Sequence, residues 1–196
     1  TRKAELDLTR LELGRYRLSS PDDRRNAIDR VLLAIRYLPF QQRAQRVQDV
    51  LDIAEVEVPA GKMVTEASLR TLAERGVDIG AHTVTHPILA NTTPDDAWSE
   101  IVESKRCLEA VLGRTVALFA YPNGRPGEDY TGEHVKMVRD AGFDGAVSTA
   151  WGAARRGSDP MQLPRFTPWT RKPLKFDLLM LKNLGQRPRQ ESPACG

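Results

Sequence analysis

The sequence has no run of 18 or more apolar residues, so no transmembrane helix is expected. Cysteine is scarce. There are two, Cys107 and Cys195, too few for a disulfide framework. Net charge is only +3, which argues against a nucleic-acid partner. No internal repeat and no long low-complexity tract interrupts the chain. No secretory signal pattern is legible; the chain opens at Thr1 rather than at a methionine, and its compartment stays open. What is present is ordinary globular material: 196 residues, 40% hydrophobic and 28% charged, enough for a domain with a sizeable core.

The charge is unevenly spread. Between Arg155 and Arg189 nine Lys/Arg face two Asp. Such a basic end suits a solvated face, or weak contact of the last helix with an anionic membrane surface. Cys107 falls in a helical apolar pattern and is expected to be a buried thiol. Cys195 lies in a Pro- and Gly-containing tail, and no spacing argument pairs the two.

Helix signals are local and strong. Ser20-Pro21-Asp22-Asp23 combines a capping serine, a first-turn proline and two acids. Ile28, Val31, Leu32, Ile35 and Leu38 follow at helical spacing. Further helices are expected after Pro39 and after Thr65, the latter with Leu69 and Leu72 inward. Others are expected from Thr93 to Leu112 with Trp98, Ile101, Val102 and Leu108 in the core, over 133–141, and over 173–184. Between them lie strand-length apolar segments at 77–80, 116–120 and 143–149, bounded by Gly or Pro. The α-β-α-β-α-β order predicts a parallel sheet or barrel of βα units. The expected division is a helical insertion or subdomain over 1–62, a β/α core over 63–184, and a disordered tail over 185–196.

Two segments could carry chemistry. His82 and His86 sit in Gly80-Ala81-His82-Thr83-Val84-Thr85-His86-Pro87, just past the end of an expected strand. Strand C-terminal ends are where βα folds build sites. Two imidazoles on one loop suit a divalent metal such as zinc, though paired structural histidines fit the spacing too. This is not the helical His-Glu-x-x-His arrangement, because no Glu adjoins the first His. The second segment is Phe119-Ala120-Tyr121-Pro122-Asn123-Gly124, a strand running into a turn. Its backbone N–H groups can face a developing oxyanion; a plain β-turn with a half-buried tyrosine is the bland alternative.

Taken together, the two segments resemble the polysaccharide deacetylases, the chitooligosaccharide-deacetylase-like carbohydrate esterases. His82, Thr83 and His86 match the family's His-Ser/Thr-x-x-His. Phe119, Ala120, Tyr121, Pro122 and Gly124 match its Phe-Ala-Tyr-Pro-x-Gly. Residues 76–82 and Val147-Ser148-Thr149 are also similar. The resemblance implies an α/β fold, a distorted (β/α) barrel of the polysaccharide deacetylase type, incomplete here and with a helical N-terminal insertion. It implies a metal, usually Zn2+, bound by His82 and His86 with an Asp. It implies an N-acetylated polysaccharide substrate, exopolysaccharide or cell-wall glycan, and hydrolysis that releases acetate. Tyr121 and Asn123 would serve the oxyanion and substrate turn, and Tyr121, Pro122, Asn123 and Gly124 would line the substrate. Either the bacterial cell envelope or the cytoplasm would suit such an activity.

The sequence departs from that family at three places. The Thr-Phe-Asp-Asp motif, source of the base and the metal-ligating Asp, is absent. Asp22-Asp23 reads as helix-capping acid instead, and the Asp-bearing strand is expected upstream of Thr1. Ala120 stands where many members have Arg. Leu163-Pro164-Arg165 stands where many have a Leu-x-His general acid, and His134 is expected on a helix surface. A non-catalytic glycan-binding or assembly protein derived from the family is therefore the competing expectation.

Overall fold

Capping chemistry sets the helix starts in the computed structural model of the protein, which describes residues 1–59, 61 and 63–192. The Asp23 N–H donates to Ser20 Oγ (3.1 Å) and the Ser20 N–H to Asp23 Oδ2 (2.9 Å), a closed capping box. The acidic pair at 22–23 is thus spent on starting α1 (Pro21–Ile35). Thr65 and Thr93 open α3 (Glu66–Glu74) and α4 (Pro94–Leu112) in the same way, each accepting the N–H three residues on.

The chain divides into two compact units, Thr1–Met63 and Val64–Gly196. In the first, β1 (Glu5–Asp7) and β2 (Arg15–Arg17) form an antiparallel hairpin, with Leu6 opposite Tyr16. With α1 and α2 (Phe40–Ala54) the hairpin encloses Leu6, Leu8, Leu18, Ala27, Val31 and Ile35. The hairpin corrects the expectation of a purely helical segment. Its strands are three residues long, so only Leu6 points inward from β1, and no alternation can show in the sequence. An open apolar cavity of about 420 Å³ lies between α1 and α2.

The second unit holds a parallel three-stranded sheet in the order β3 (Leu118–Ala120), β4 (Gly145–Ser148), β5 (Leu163–Pro164). Helix α5 (Gly132–Asp140) connects β3 to β4 as a crossover. The core is Leu89, Ala97, Ile101, Val116, Phe119, Tyr121, Tyr130, Val135, Val138 and Phe143 with smaller neighbours. The expected strand at 77–80 is reduced to one bridge, Ala81 to Phe119, with the Ala81 N–H on Leu118 O (2.8 Å) and the Ala120 N–H on Ala81 O (2.9 Å). Val77 is exposed, and a strand identity depends on partners more than on residue type. The fold is mixed α/β, and no closed barrel forms among the described residues.

Several side chains differ from expectation. Cys107, Trp98 and Leu72 are exposed: they occupy the outward flank of otherwise correct helices, where a one-residue error in phase turns a core position to solvent. His134 is buried, not on the surface. Helix α6 (Pro173–Gly185) turns Asn183 inward, where its amide pairs with both the N–H and the C=O of Gly152. Its Leu174, Leu178 and Leu181 are exposed. Of the segment at 185–196, Glu191 exchanges backbone hydrogen bonds with the Gln162 amide (2.7 and 2.8 Å). Cys195 lies outside the described residues.

Candidate active site

Because β3, β4 and β5 are parallel and Ala81 bridges β3 in the same sense, their carboxyl ends emerge at one edge. That edge collects His82, the Tyr121–Gly124 turn, Thr149 and Arg165. Each begins at the first or second residue after its strand or bridge.

The 82–86 loop is tightly bent. Thr83 (φ +64°) and His86 (φ +56°) both occupy the left-handed region, which is uncommon for residues with side chains and marks an imposed conformation. The Thr83 hydroxyl donates to His82 O (2.5 Å). Between the two bends, the Val84 and Thr85 N–H groups donate to Glu100 Oε2 (2.7 and 2.8 Å), and the Thr85 hydroxyl donates to Glu100 Oε1 (2.6 Å). The imidazoles of His82 and His86 meet edge to face with centroids 4.8 Å apart.

His82 Nδ1 lies 2.6 Å from Ala120 O. A carbonyl only accepts, so Nδ1 carries the proton, and a neutral ring keeps its lone pair on Nε2. The ring's pKa is lowered by partial burial and by the charges of His86 and Arg165, against the pull of the Ala120 carbonyl. A neutral imidazole oriented through Nδ1 is the state in which histidine binds a metal. The donor set therefore fits two corners of a zinc site. Among the described residues no third His, Cys, Asp or Glu joins them.

The expected substrate turn divides into a buried part and an open part. Tyr121 is a core residue: it stacks on Tyr130 (3.9 Å, 11°) and its hydroxyl donates to Met161 O (3.0 Å). Burial pushes its pKa far up, with the Tyr130 and Asp159 charges adding, and burial pushes that of Tyr130 up to about 12. Pro122 is fully buried as well. Asn123 (φ +55°) and Gly124 (φ +75°) form the bend itself. Thr149 fixes the bend twice, its N–H on Gly124 O (2.8 Å) and its hydroxyl on Asn123 O (2.7 Å). The Gly124 N–H turns back to Pro122 O (2.6 Å), whereas the Asn123 N–H meets no backbone acceptor among the described residues. Gly124 suits the bend: its φ is left-handed, and a Cβ would stand only 3.0 Å from Tyr121 O and 3.1 Å from Thr149 N.

Sequence reasoning missed Glu100, and Thr149 was visible only as part of a familiar tripeptide. Arg165, directly after β5, is one of the charges that lower the pKa of His82.

The histidine loop and the Tyr-Pro-x-Gly turn thus stand together at one edge of a mixed α/β fold. The polysaccharide deacetylase family model matches residues 41–146, more than half of the chain, and the chain belongs to that family. It is 30% identical over 102 residues to YxkH of Bacillus subtilis (strain 168), named as a polysaccharide deacetylase; the match covers 52% of this chain and 35% of that protein. Among solved structures it resembles the Streptococcus pyogenes deacetylase PplD in complex with acetate (TM-score 0.50, 21% identity, 62% of this chain and 57% of that one). IcaB from Ammonifex degensii is similar too (TM-score 0.50, 18% identity, 71% and 66%). The chain thus spans about a third of YxkH and under two thirds of PplD.

Proposed function

We propose that this chain supplies the histidine half of a metal-dependent site that removes N-acetyl groups from a hexosamine-containing polysaccharide. The observation carrying this reading is the His82–His86 pair, held edge to face with His82 Nδ1 on the carbonyl that leads into the Tyr-Pro-x-Gly turn. His82 and His86 would hold the ion, most simply Zn2+. Such an ion supplies Lewis acidity, polarising a carbonyl and lowering the pKa of water. Asn123 offers its backbone N–H to the oxygen that gains charge as the amide carbon is attacked. The Gly124 bend brings the glycan to that N–H. Tyr121 and Pro122 hold the bend from beneath rather than touching sugar. The Asp pair that supplies the third ligand and the base is assigned to residues outside this chain, since Asp22-Asp23 caps a helix.

Acetate release from N-acetylglucosamine oligomers tests the reading. The full gene product should release acetate in a zinc-dependent way, and His82→Ala should abolish release. Residues 1–196 alone should stay near background; robust activity from them would overturn the assignment of the Asp pair. Glycan binding by the full product with no release at any metal concentration would favour the non-catalytic alternative. A weak contact of the basic last helix with anionic lipid is a lesser proposal, made from its charge and from the exposed Leu174, Leu178 and Leu181. Sedimentation with anionic vesicles at low salt should detect it, and no binding there would end it.

A further inference from the structure

The 82–86 loop has two left-handed residues and no glycine between its histidines, yet it holds both rings in contact. Something must keep it bent. Within the loop the Thr83 hydroxyl contributes, and it acts on its own neighbour, His82 O. An external restraint on the segment between the bends is Glu100. One carboxylate takes both N–H groups of the segment between the bends, and its second oxygen takes the Thr85 hydroxyl. Two successive N–H groups converging on one anion form a nest, and here the protein's own carboxylate fills it. Glu100 is rigidly held in turn, because Ala97 and Ile101 on the same stretch of α4 are completely buried in the core. The loop is thereby tied to α4 at its centre and to β3 at its start, through Ala81 and His82.

We infer that Glu100 is a positioning residue: it fixes the relative placement of the His82 and His86 rings by clamping Val84 and Thr85 to α4. This rests on the reading of the histidines as a ligand pair, and its consequence for metal binding follows from that reading. Groups that orient metal ligands without touching the ion typically change affinity about 10- to 100-fold when removed.

The test uses residues 1–196, with Zn2+ alone as the probe in calorimetric titration. Glu100→Ala should weaken Zn2+ binding about tenfold or more. Glu100→Asp keeps the charge but shortens the reach, and should fall in the same direction. Glu100→Gln keeps an oxygen at the nest and should stay within about threefold of wild type, while the thermal midpoints of all three folded variants stay together. Wild-type affinity in Glu100→Ala would overturn the inference. Equal weakening in Gln and Ala would overturn it too, since the carboxylate would then act through charge and not through placement. Should Glu100→Ala fail to fold, Glu100→Asp is read in its place. A second readout needs no metal: ring-to-ring NOEs between His82 and His86 should be present in wild type and Glu100→Gln and lost in Glu100→Ala or Asp. If residues 1–196 bind no Zn2+, the two histidines do not hold the ion without the missing ligand, and the NOEs alone decide Glu100: their persistence in Glu100→Ala overturns the inference, and their loss upholds it.

Discussion

His82 Nδ1 donates to the carbonyl of Ala120 at 2.6 Å, joining the histidine loop to the turn that follows β3. The two motifs, 38 residues apart in sequence, are thus one assembly. The carbonyl fixes which nitrogen of His82 is free, and the same strand then leads into the bend at Asn123. Side chains placed on adjacent strand ends in this way take their spacing from the sheet.

On the proposed reading, zinc calorimetry on residues 1–196 should show one weak site, because a catalytic zinc normally has three protein ligands and His82 and His86 would supply only two. Either His82→Ala or His86→Ala should remove it, since each takes away half the donors. Sub-micromolar affinity in the wild type would place a third ligand within the chain.

Tyr121→Phe should act on stability and leave zinc affinity unchanged. It strands the Met161 carbonyl in a buried site, a loss of about 1–3 kcal/mol. That corresponds to a lower melting midpoint by several degrees, roughly 2–4 °C per kcal/mol for a chain of this size. A variant as stable as wild type but impaired in glycan binding would return Tyr121 to the substrate.

Two glycines separate strain from crowding. At Gly76 (φ +84°) an added methyl group would meet open space, whereas at Gly124 (φ +75°) it would meet Tyr121 O at 3.0 Å and Thr149 N at 3.1 Å. Gly76→Ala should cost about 1–2 kcal/mol from the left-handed backbone alone. Gly124→Ala should cost clearly more, read as the urea midpoint at constant slope. Equal costs would mean that the bend relaxes freely, and that Thr149 does not fix it.

The sequence announced the helices because their signals are local. Ser20-Pro21-Asp22-Asp23 and Thr93-Pro94-Asp95-Asp96 satisfy their own N–H groups and need nothing from the rest of the fold. The histidine pair and the Tyr-Pro-Asn-Gly turn were legible for the same reason, as short contiguous patterns. What depends on distant partners was not legible. Val77–Gly80 looks like a strand but lacks the neighbours to become one. Glu100 lies 15 and 16 residues from the N–H groups it accepts, on a helix face where a carboxylate usually points to water. The direction of Tyr121 depends on Tyr130 and Met161, which no spacing relates to it. His134 was misread because a capping role at the third helical position is usually filled by Glu or Gln.

That capping role makes His134 a source of acid sensitivity. The Thr131 N–H donates to His134 Nδ1 (3.1 Å), so this nitrogen must be unprotonated. Burial lowers the ring's pKa from its usual 6.5, against the raising effects of Glu133 and a backbone hydrogen bond at Leu89. In the unfolded chain the ring titrates near its ordinary value, so just below that pH the unfolded state binds the extra proton and folding is penalised. The contribution of His134 is complete above about pH 6.5 and is lost progressively as pH falls through the depressed folded value. Protonation also puts a second donor against the Thr131 N–H and breaks the cap. His134→Gln keeps an acceptor for that N–H and does not titrate. Its urea-unfolding stability should lie close to wild type at pH 7.5, and the two should diverge as pH drops from about 6.5 to about 5, the wild type losing more. His82 titrates in both proteins, so the difference isolates His134. Parallel curves would show that the ring accepts a proton as readily folded as unfolded, and that the cap does not depend on its neutral form.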